Sequence, residues 1–180
     1  MTKKHVISNK YMTIVFSMLA FGIAFTITTP IADANHLTCD GSTTTIDGTN
    51  NSETKNGTTG ADVIQLLDGD DISDGFEAND KICGGNGRDD IKGNSGNDRL
   101  FGDAGLDIID GGLGDDYMEG GTDADSMNGQ GGSDNMLGQD GNDTLYHGND
   151  TVADTLNCGN GTDNYNAGAN DTVISCETPI

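Results

Sequence analysis

The sequence predicts an all-β solenoid built from nine-residue, glycine-rich repeats, and three observations carry that prediction. Ten consecutive nine-residue blocks run in one register from Gly57 to Tyr146, and a short fixed period is how a chain encodes one structural unit stacked many times. Glycine holds the first position in nine of the ten blocks and the fourth in eight, as expected of a tight turn that a Cβ would obstruct. The eighth position is apolar in nine of ten: Ile64, Ile82, Ile91, Leu100, Ile109, Met118, Met127, Met136 and Leu145, with Ser73 the exception. Its neighbours are mostly polar, and because side chains alternate across a strand, this is the pattern of a very short half-buried strand.

The sixth position never varies. It is Asp62, Asp71, Asp80, Asp89, Asp98, Asp107, Asp116, Asp125, Asp134 and Asp143. Stacked strands lie about 4.8 Å apart, so equivalent aspartates would form columns of negative charge. Adjacent carboxylates about 5 Å apart repel by roughly 1 kcal/mol in bulk water and several times that at an effective dielectric of 20. A cation must neutralise such columns. Turn carbonyls and carboxylates are hard oxygen ligands, and a flexible ring of them suits calcium better than magnesium, which demands tighter octahedral geometry.

The clearest block, Gly84 to Lys92, reads GGNGRDDIK and is followed by GNSGNDRLF, GDAGLDIID and GGLGDDYME. This series resembles the nonapeptide G-G-x-G-x-D-x-U-x of the RTX, or haemolysin-type, calcium-binding proteins. The resemblance covers residues 57–146 closely and 149–171 loosely. It implies a right-handed parallel β-roll in which two blocks make one coil, with several calcium ions held in the turns. The ligands it implies are the ten aspartates and turn carbonyls, with Asp154 and Asp163 as additions. Twelve full blocks would give about six coils, on the order of 30 Å of solenoid. The block Leu66 to Asp74 departs most, with LLDG in place of GGxG and Ser73 at the apolar position. There Ile72 is expected to turn inward through a local bulge, and Asp71 is the weakest ligand candidate. Ala78 and Asp123 are milder departures at the fourth position.

Four segments follow in order. In residues 1–34, Lys3, Lys4 and Lys10 precede an apolar stretch from Tyr11 to Ile27, and Ala32-Asp33-Ala34 offers a small-x-small cleavage site. This predicts a secretory signal peptide. An uncleaved anchor is the competing reading, but the stretch, interrupted by Thr13, Ser17, Gly22 and Thr26, is short for a span. Residues 35–56 continue the phase faintly, with Ile46, Gly48 and Glu53 at the eighth, first and sixth positions, as an N-terminal cap of degenerate repeats would. Residues 57–146 are the ten in-register repeats. In 147–180 two extra residues, His147 and Gly148, are expected to shift the phase before blocks 149–157 and 158–166 and a closing strand from Asp171 to Cys176. His147 has no clustered partner in the sequence and is expected to be a tolerated bulge, His36 is similarly isolated, and neither is assigned a role.

Four cysteines in an exported chain are expected to form disulfides. Within the β-roll that the resemblance implies, Cys158 and Cys176 fall on neighbouring turns, which leaves Cys39 with Cys83. Three connectivities remain open, and a structural zinc site competes, though neither a CxxC nor a nearby histidine pair supports it.

A net charge of −22 excludes nucleic acid as a natural partner and opposes compaction without metal. With no Trp and abundant Gly and Asp, the metal-free chain has the composition of a disordered one. Folding is therefore expected to follow calcium binding. There is no GxSxG, HExxH or convergent His with Ser or Cys, so the chain is not expected to be an enzyme. EF-hand loops are absent too. The reading is a secreted, non-catalytic calcium-binding protein, extracellular or at the cell surface, with no membrane insertion after cleavage. An adhesive or cell-envelope spacer that self-associates is the alternative.

Overall fold

The computed structural model describes residues 11–17, 24–30, 39, 41, 42, 44–148 and 150–180. The chain divides into two units, residues 1–38 and 39–180. In the first, β1 (Tyr11–Ser17) and β2 (Ala24–Pro30) pair antiparallel, with Ile14 opposite Ile27. The cleavage site expected at Ala32-Asp33-Ala34 lies outside the described residues, as does His36. Among the described residues no helix is long and apolar enough to cross a membrane.

The second unit is a parallel β-solenoid. Its strands are β3 (Ile46–Thr49), β4 (Val63–Asp68), β5 (Ile72–Glu77), β6 (Lys81–Asn86), β7 (Asp90–Ser95), β8 (Arg99–Ala104), β9 (Ile108–Leu113) and β10 (Tyr117–Thr122). They continue with β11 (Ser126–Gly131), β12 (Asn135–Asp140), β13 (Thr144–Tyr146), β14 (Thr155–Asn157), β15 (Asn164–Asn166), β16 (Thr172–Ile174) and β17 (Thr178–Pro179). One sheet stacks β3, β4 and then the even-numbered strands to β16; the other stacks the odd-numbered strands from β5 to β17. Ile82 pairs with Leu100 and Leu100 with Met118, Ile91 with Ile109 and Ile109 with Met127. The register is thus two blocks per coil, and the solenoid has about seven turns. The turn beyond the expected six comes from the caps, where Ile46 pairs with Ile64, Thr54 bridges Ile72, and Tyr165 pairs with Pro179.

Most strands run six residues rather than three, crossing the block boundary. They can do so because the second position bends into the left-handed region, at φ 72° in Asn94 and 71° in Asp103, so the strand turns a corner without ending. The eighth-position side chains form the core, and Ile64, Ile82, Ile91, Leu100, Met118, Met127, Met136 and Leu145 are fully buried. Each contributes about 1.5–3 kcal/mol relative to exposure, along a centre one residue wide.

Two expectations are corrected. Ser73 faces inward, fully buried and paired in register with Ile91, while Ile72 is 49% exposed. No bulge forms, because the ladder hydrogen bonds of the neighbouring coils fix the register of β5. The cost is a buried Ser73 Oγ without a partner, of order 1–3 kcal/mol. Secondly, His147 and Gly148 are not the insertion. The His147 carbonyl oxygen lies 3.1 Å from the Cβ position of Gly129, as the Gly129 carbonyl lies 2.9 Å from that of Gly111. His147 and Gly148 therefore hold the first and second positions, and the two extra residues lengthen the turn before Asp154. Beyond it the register widens, Met136 pairing with Leu156 and Leu145 with Tyr165.

Disulfides join Cys39 to Cys83 and Cys158 to Cys176, with Cα separations of 5.7 and 5.1 Å. The first ties the N-terminal cap to β6, and the second ties the last coils together.

Candidate metal centres

Each turn ends on the invariant aspartate, which the coil geometry turns inward. Asp80, Asp89, Asp98, Asp107, Asp116, Asp125, Asp134, Asp143, Asp154 and Asp163 are all buried, as are Asp62 and Asp71. The eighteen-residue register stacks them in two columns, and a backbone ladder links them. The N–H of Asp80 donates to Asp98 Oδ1, that of Asp98 to Asp116 Oδ1 and that of Asp89 to Asp107 Oδ1, each at 2.8 Å. One column runs through Asp62, Asp80, Asp98, Asp116, Asp134 and Asp154. The other runs through Asp71, Asp89, Asp107, Asp125, Asp143 and Asp163.

One oxygen of each carboxylate is thereby used. The other, Oδ2, is buried without a hydrogen-bond partner in Asp71 and in every later member of both columns. Around it lies a cradle kept open by the first-position glycine. A Cβ on Gly111 would lie 2.5 Å from Asp116 Oδ2 and 2.9 Å from the Gly129 carbonyl oxygen; on Gly120, 2.5 Å from Asp125 Oδ2 and 2.9 Å from the Gly138 carbonyl. Glycine is required here for space, since Gly111 and Gly120 show no positive φ, whereas the fourth position needs the conformation itself, at φ 141° in Gly96 and Gly105. The result is two stacks of carboxylate and carbonyl oxygens, each with one set per coil, the donor chemistry of a hard divalent cation.

Burial raises the proton affinity of most of these carboxylates. Asp107 is pushed up to about 8, Asp116, Asp125 and Asp134 to about 7, and Asp80, Asp89 and Asp143 to about 6. Desolvation is the largest cause; the backbone hydrogen bond on Oδ1 opposes it, and the repulsion of column neighbours adds to it. Asp71, Asp98 and Asp154 are raised for the same leading reason.

A family model of the RTX calcium-binding nonapeptide repeat matches the chain in four copies, at residues 47–82, 84–118, 110–145 and 119–152, more than half its length. The chain belongs to the RTX calcium-binding nonapeptide-repeat family. No curated protein matches it.

Two of the RTX aspartates depart from the pattern. At Asp62 burial raises the pKa, but hydrogen bonds from the Thr58 N–H (2.7 Å) and Oγ1 (2.9 Å) and from Thr45 outweigh it, and the net shift is downward. At Asp71 the first position of the RTX block is Leu66, which is fully buried, so a real side chain begins where the other cradles have space. The RTX columns also extend beyond the residues the sequence pointed to. The Asp154 N–H donates to Asp171 Oδ1 at 3.1 Å, and the Asp163 N–H to Glu177 Oε2 at 3.0 Å. Asp171-Thr172-Val173 repeats the aspartate, polar, apolar order of Asp143-Thr144-Leu145, a signal hidden because the last block is shortened. Glu53 opens the second column, its N–H donating to Asp71 Oδ1 at 2.7 Å, as its sixth-position register predicts.

Fifth-position side chains form an outer ladder unforeseen in the sequence. Asp70 Oδ1 accepts from the Arg88 N–H at 3.0 Å, Asn79 Oδ1 from Asn97 at 2.9 Å and Asn142 Oδ1 from Thr162 at 2.9 Å. The surplus of Asp and Asn there was the available signal. His147 is the remaining correction. Its Nδ1 lies 3.5 Å from Asp171 Oδ2 and 3.8 Å from Asp154 Oδ2, so the isolation expected of it does not hold.

Proposed function

We propose that this is a secreted, non-catalytic protein whose activity is calcium binding along the two columns, with folding coupled to that binding. The observation that supports it best is the run of buried Oδ2 atoms without protein partners, which from Asp80 to Asp143 lie beside a backbone carbonyl at the first-position glycine. An unpaired buried carboxylate is costly unless it is protonated or meets a cation. Calcium between successive coils would supply that charge, with Asp80, Asp98, Asp116, Asp134, Asp89, Asp107, Asp125 and Asp143 as the principal carboxylate ligands and first-position carbonyls beside them. Asp154 and Asp163 extend the columns toward the C-terminus, and Asp62 and Asp71 contribute least. The ions would bridge coils and so hold the acidic turns of the solenoid unit together in a chain of net charge −22. The leader-like composition of residues 1–34 and the two disulfides accord with export, where oxidation and calcium occur together.

The test is a calcium titration of the oxidised protein followed by far-UV circular dichroism, with magnesium as control. A cooperative gain of β-structure with calcium alone is the expected result. A spectrum already β-rich in chelator at neutral pH, and indifferent to calcium, would remove the coupling from this reading.

A further inference from the structure

The Asp154 turn of the first column is built differently from the glycine cradles before it, and the difference is a change of donor type. In the in-register blocks the first position is glycine in all but one, and the cradle holds oxygen atoms only. At the corresponding position of the following block stands His147, whose imidazole enters the cradle of Asp154. Its Nδ1 is buried and has no hydrogen-bond partner, and neither has Asp154 Oδ2, in a residue 2% exposed. Nδ1 lies 3.8 Å from Asp154 Oδ2 and 3.5 Å from Asp171 Oδ2, whose side chains are themselves buried. These gaps are long for hydrogen bonds. They are close to the edge of a tetrahedron, since two ligands each about 2.0–2.2 Å from a zinc ion sit roughly 3.3–3.6 Å apart.

The lengthened turn supplies a further donor. One ligand atom each from His147, Asp150 and Asp154 lies within 4.8 Å of the others. Asp150 is held in place by backbone donors, the Gly132 N–H on Oδ2 at 2.9 Å and the Val152 N–H on Oδ1 at 3.0 Å. Asp150 keeps the eighteen-residue register with Gly132 whereas Asp154 lies twenty residues from Asp134, so the two extra residues fall between the two carboxylates grouped with the imidazole.

We propose that His147, Asp150 and Asp154, with Asp171 beside them, form a site for a borderline divalent transition cation of the zinc type, chemically distinct from the oxygen-only cradles. An imidazole nitrogen is a good ligand for zinc, cobalt or nickel and a poor one for calcium, which takes oxygen donors almost exclusively. The site lies where β14 and β16 carry the last turn of one sheet, so the cation would pin the C-terminal coils by a bond that calcium does not make. It does not depend on calcium occupying the other turns.

The experiment uses the full oxidised chain in excess calcium, so that the oxygen cradles are not free to take the probe. Cobalt(II) is titrated as a spectroscopic stand-in and zinc is then added. The expected result is one equivalent of cobalt with the visible absorption of a four-coordinate nitrogen and oxygen site, displaced by zinc. His147→Gln abolishes that band and Asp150→Asn weakens cobalt binding at least tenfold, while the far-UV spectrum in calcium stays that of the native protein, which shows that both variants fold. A native protein that takes up no cobalt in calcium would overturn the proposal, and so would a band that survives His147→Gln. If instead His147→Gly gains one equivalent of calcium and the native chain ignores cobalt, the imidazole is a plug in a calcium cradle and the proposal fails. Loss of calcium-dependent folding in the native chain would count against the calcium reading alone, because the cobalt band reports separately.

Discussion

Asp98 has two jobs that two substitutions separate. Its Oδ1 accepts the Asp80 N–H, and its Oδ2 faces the Gly111 carbonyl across the space beside Gly93. Asp98→Ala removes both and leaves a buried N–H without an acceptor, a loss of about 1–3 kcal/mol with or without calcium. Asp98→Asn keeps an acceptor and removes the charge. In chelator at neutral pH it should be at least as resistant to urea as the native chain, yet bind less calcium in equilibrium dialysis. Both variants behaving alike in chelator would mean that the carboxylate charge is not what the metal-free fold resists. Gly111→Ala tests the cradle from the other side, because its methyl would sit 2.5 Å from Asp116 Oδ2 and 2.9 Å from the Gly129 carbonyl. It should lower calcium stoichiometry although no ligand is removed. At this scale the sequence was legible wherever one residue type recurs in phase, as with the aspartates and the apolar eighth position. Ser73 was misread because local hydrophobicity favoured Ile72, and only the ladder of neighbouring coils fixes which of the two faces in. His147 was misread because its partners Asp154 and Asp171 lie seven and twenty-four residues away along the chain, and nothing local announces that the coil brings them together.

At the scale of one column, the carboxylates act as a coupled set whose protonation opposes metal. In the folded, metal-free form several titrate at about 6 to about 8, against an ordinary value of 3.8. A carboxyl raised in the folded state stabilises that state while it is protonated. The stabilisation is complete below pH 3.8 and is lost as pH rises through about 6 to about 8. In chelator the β-signal should therefore strengthen on acidification from pH about 8 to about 5, and calcium added near pH 6.5 should release protons, seen as a buffer-dependent heat in calorimetry. A β-signal in chelator that weakens on acidification over that range, or calcium binding with no proton release, would contradict the burial of Oδ2. The terminal elements rest on different support. The residues of β16 and β17 are exposed, so the Cys158–Cys176 disulfide, closing an eighteen-residue separation, holds the last turns with about 3 kcal/mol. Replacing both cysteines by serine should leave amide protection in β8–β10 unchanged and abolish it in β16. The sequence offered this bridge only conditionally, because neighbouring turns exist for two cysteines only once the coil period is known.

At the largest scale, the solenoid unit is a one-dimensional array in which each coil touches only its neighbours, so its cooperativity can be no better than the weakest interface. What couples the coils is a core one side chain wide, the backbone ladders and the two aspartate columns. The first two are present in any β-solenoid; the third is charged and, without a cation, repulsive. If calcium is the coupling agent, its removal from the centre should divide the molecule, and removal from one end should only shorten it. Asp98→Asn with Asp116→Asn takes the charge from two successive members of one column, joined directly through the Asp98 N–H and Asp116 Oδ1. Asp62→Asn with Asp71→Asn, one residue near the N-terminal end of each column, is the terminal control, since Thr58 already supplies donors to one and Leu66 crowds the other. The native chain should take up calcium in one steep transition. The central pair should broaden it into two stages or raise its midpoint severalfold, while hydrogen exchange shows the coils on either side protected at different calcium concentrations. The terminal pair should leave both midpoint and steepness near native. Equal effects from the two pairs would mean that position along the column does not matter, and the coils would then be held together by core and ladder, with calcium bound to a rod that already exists.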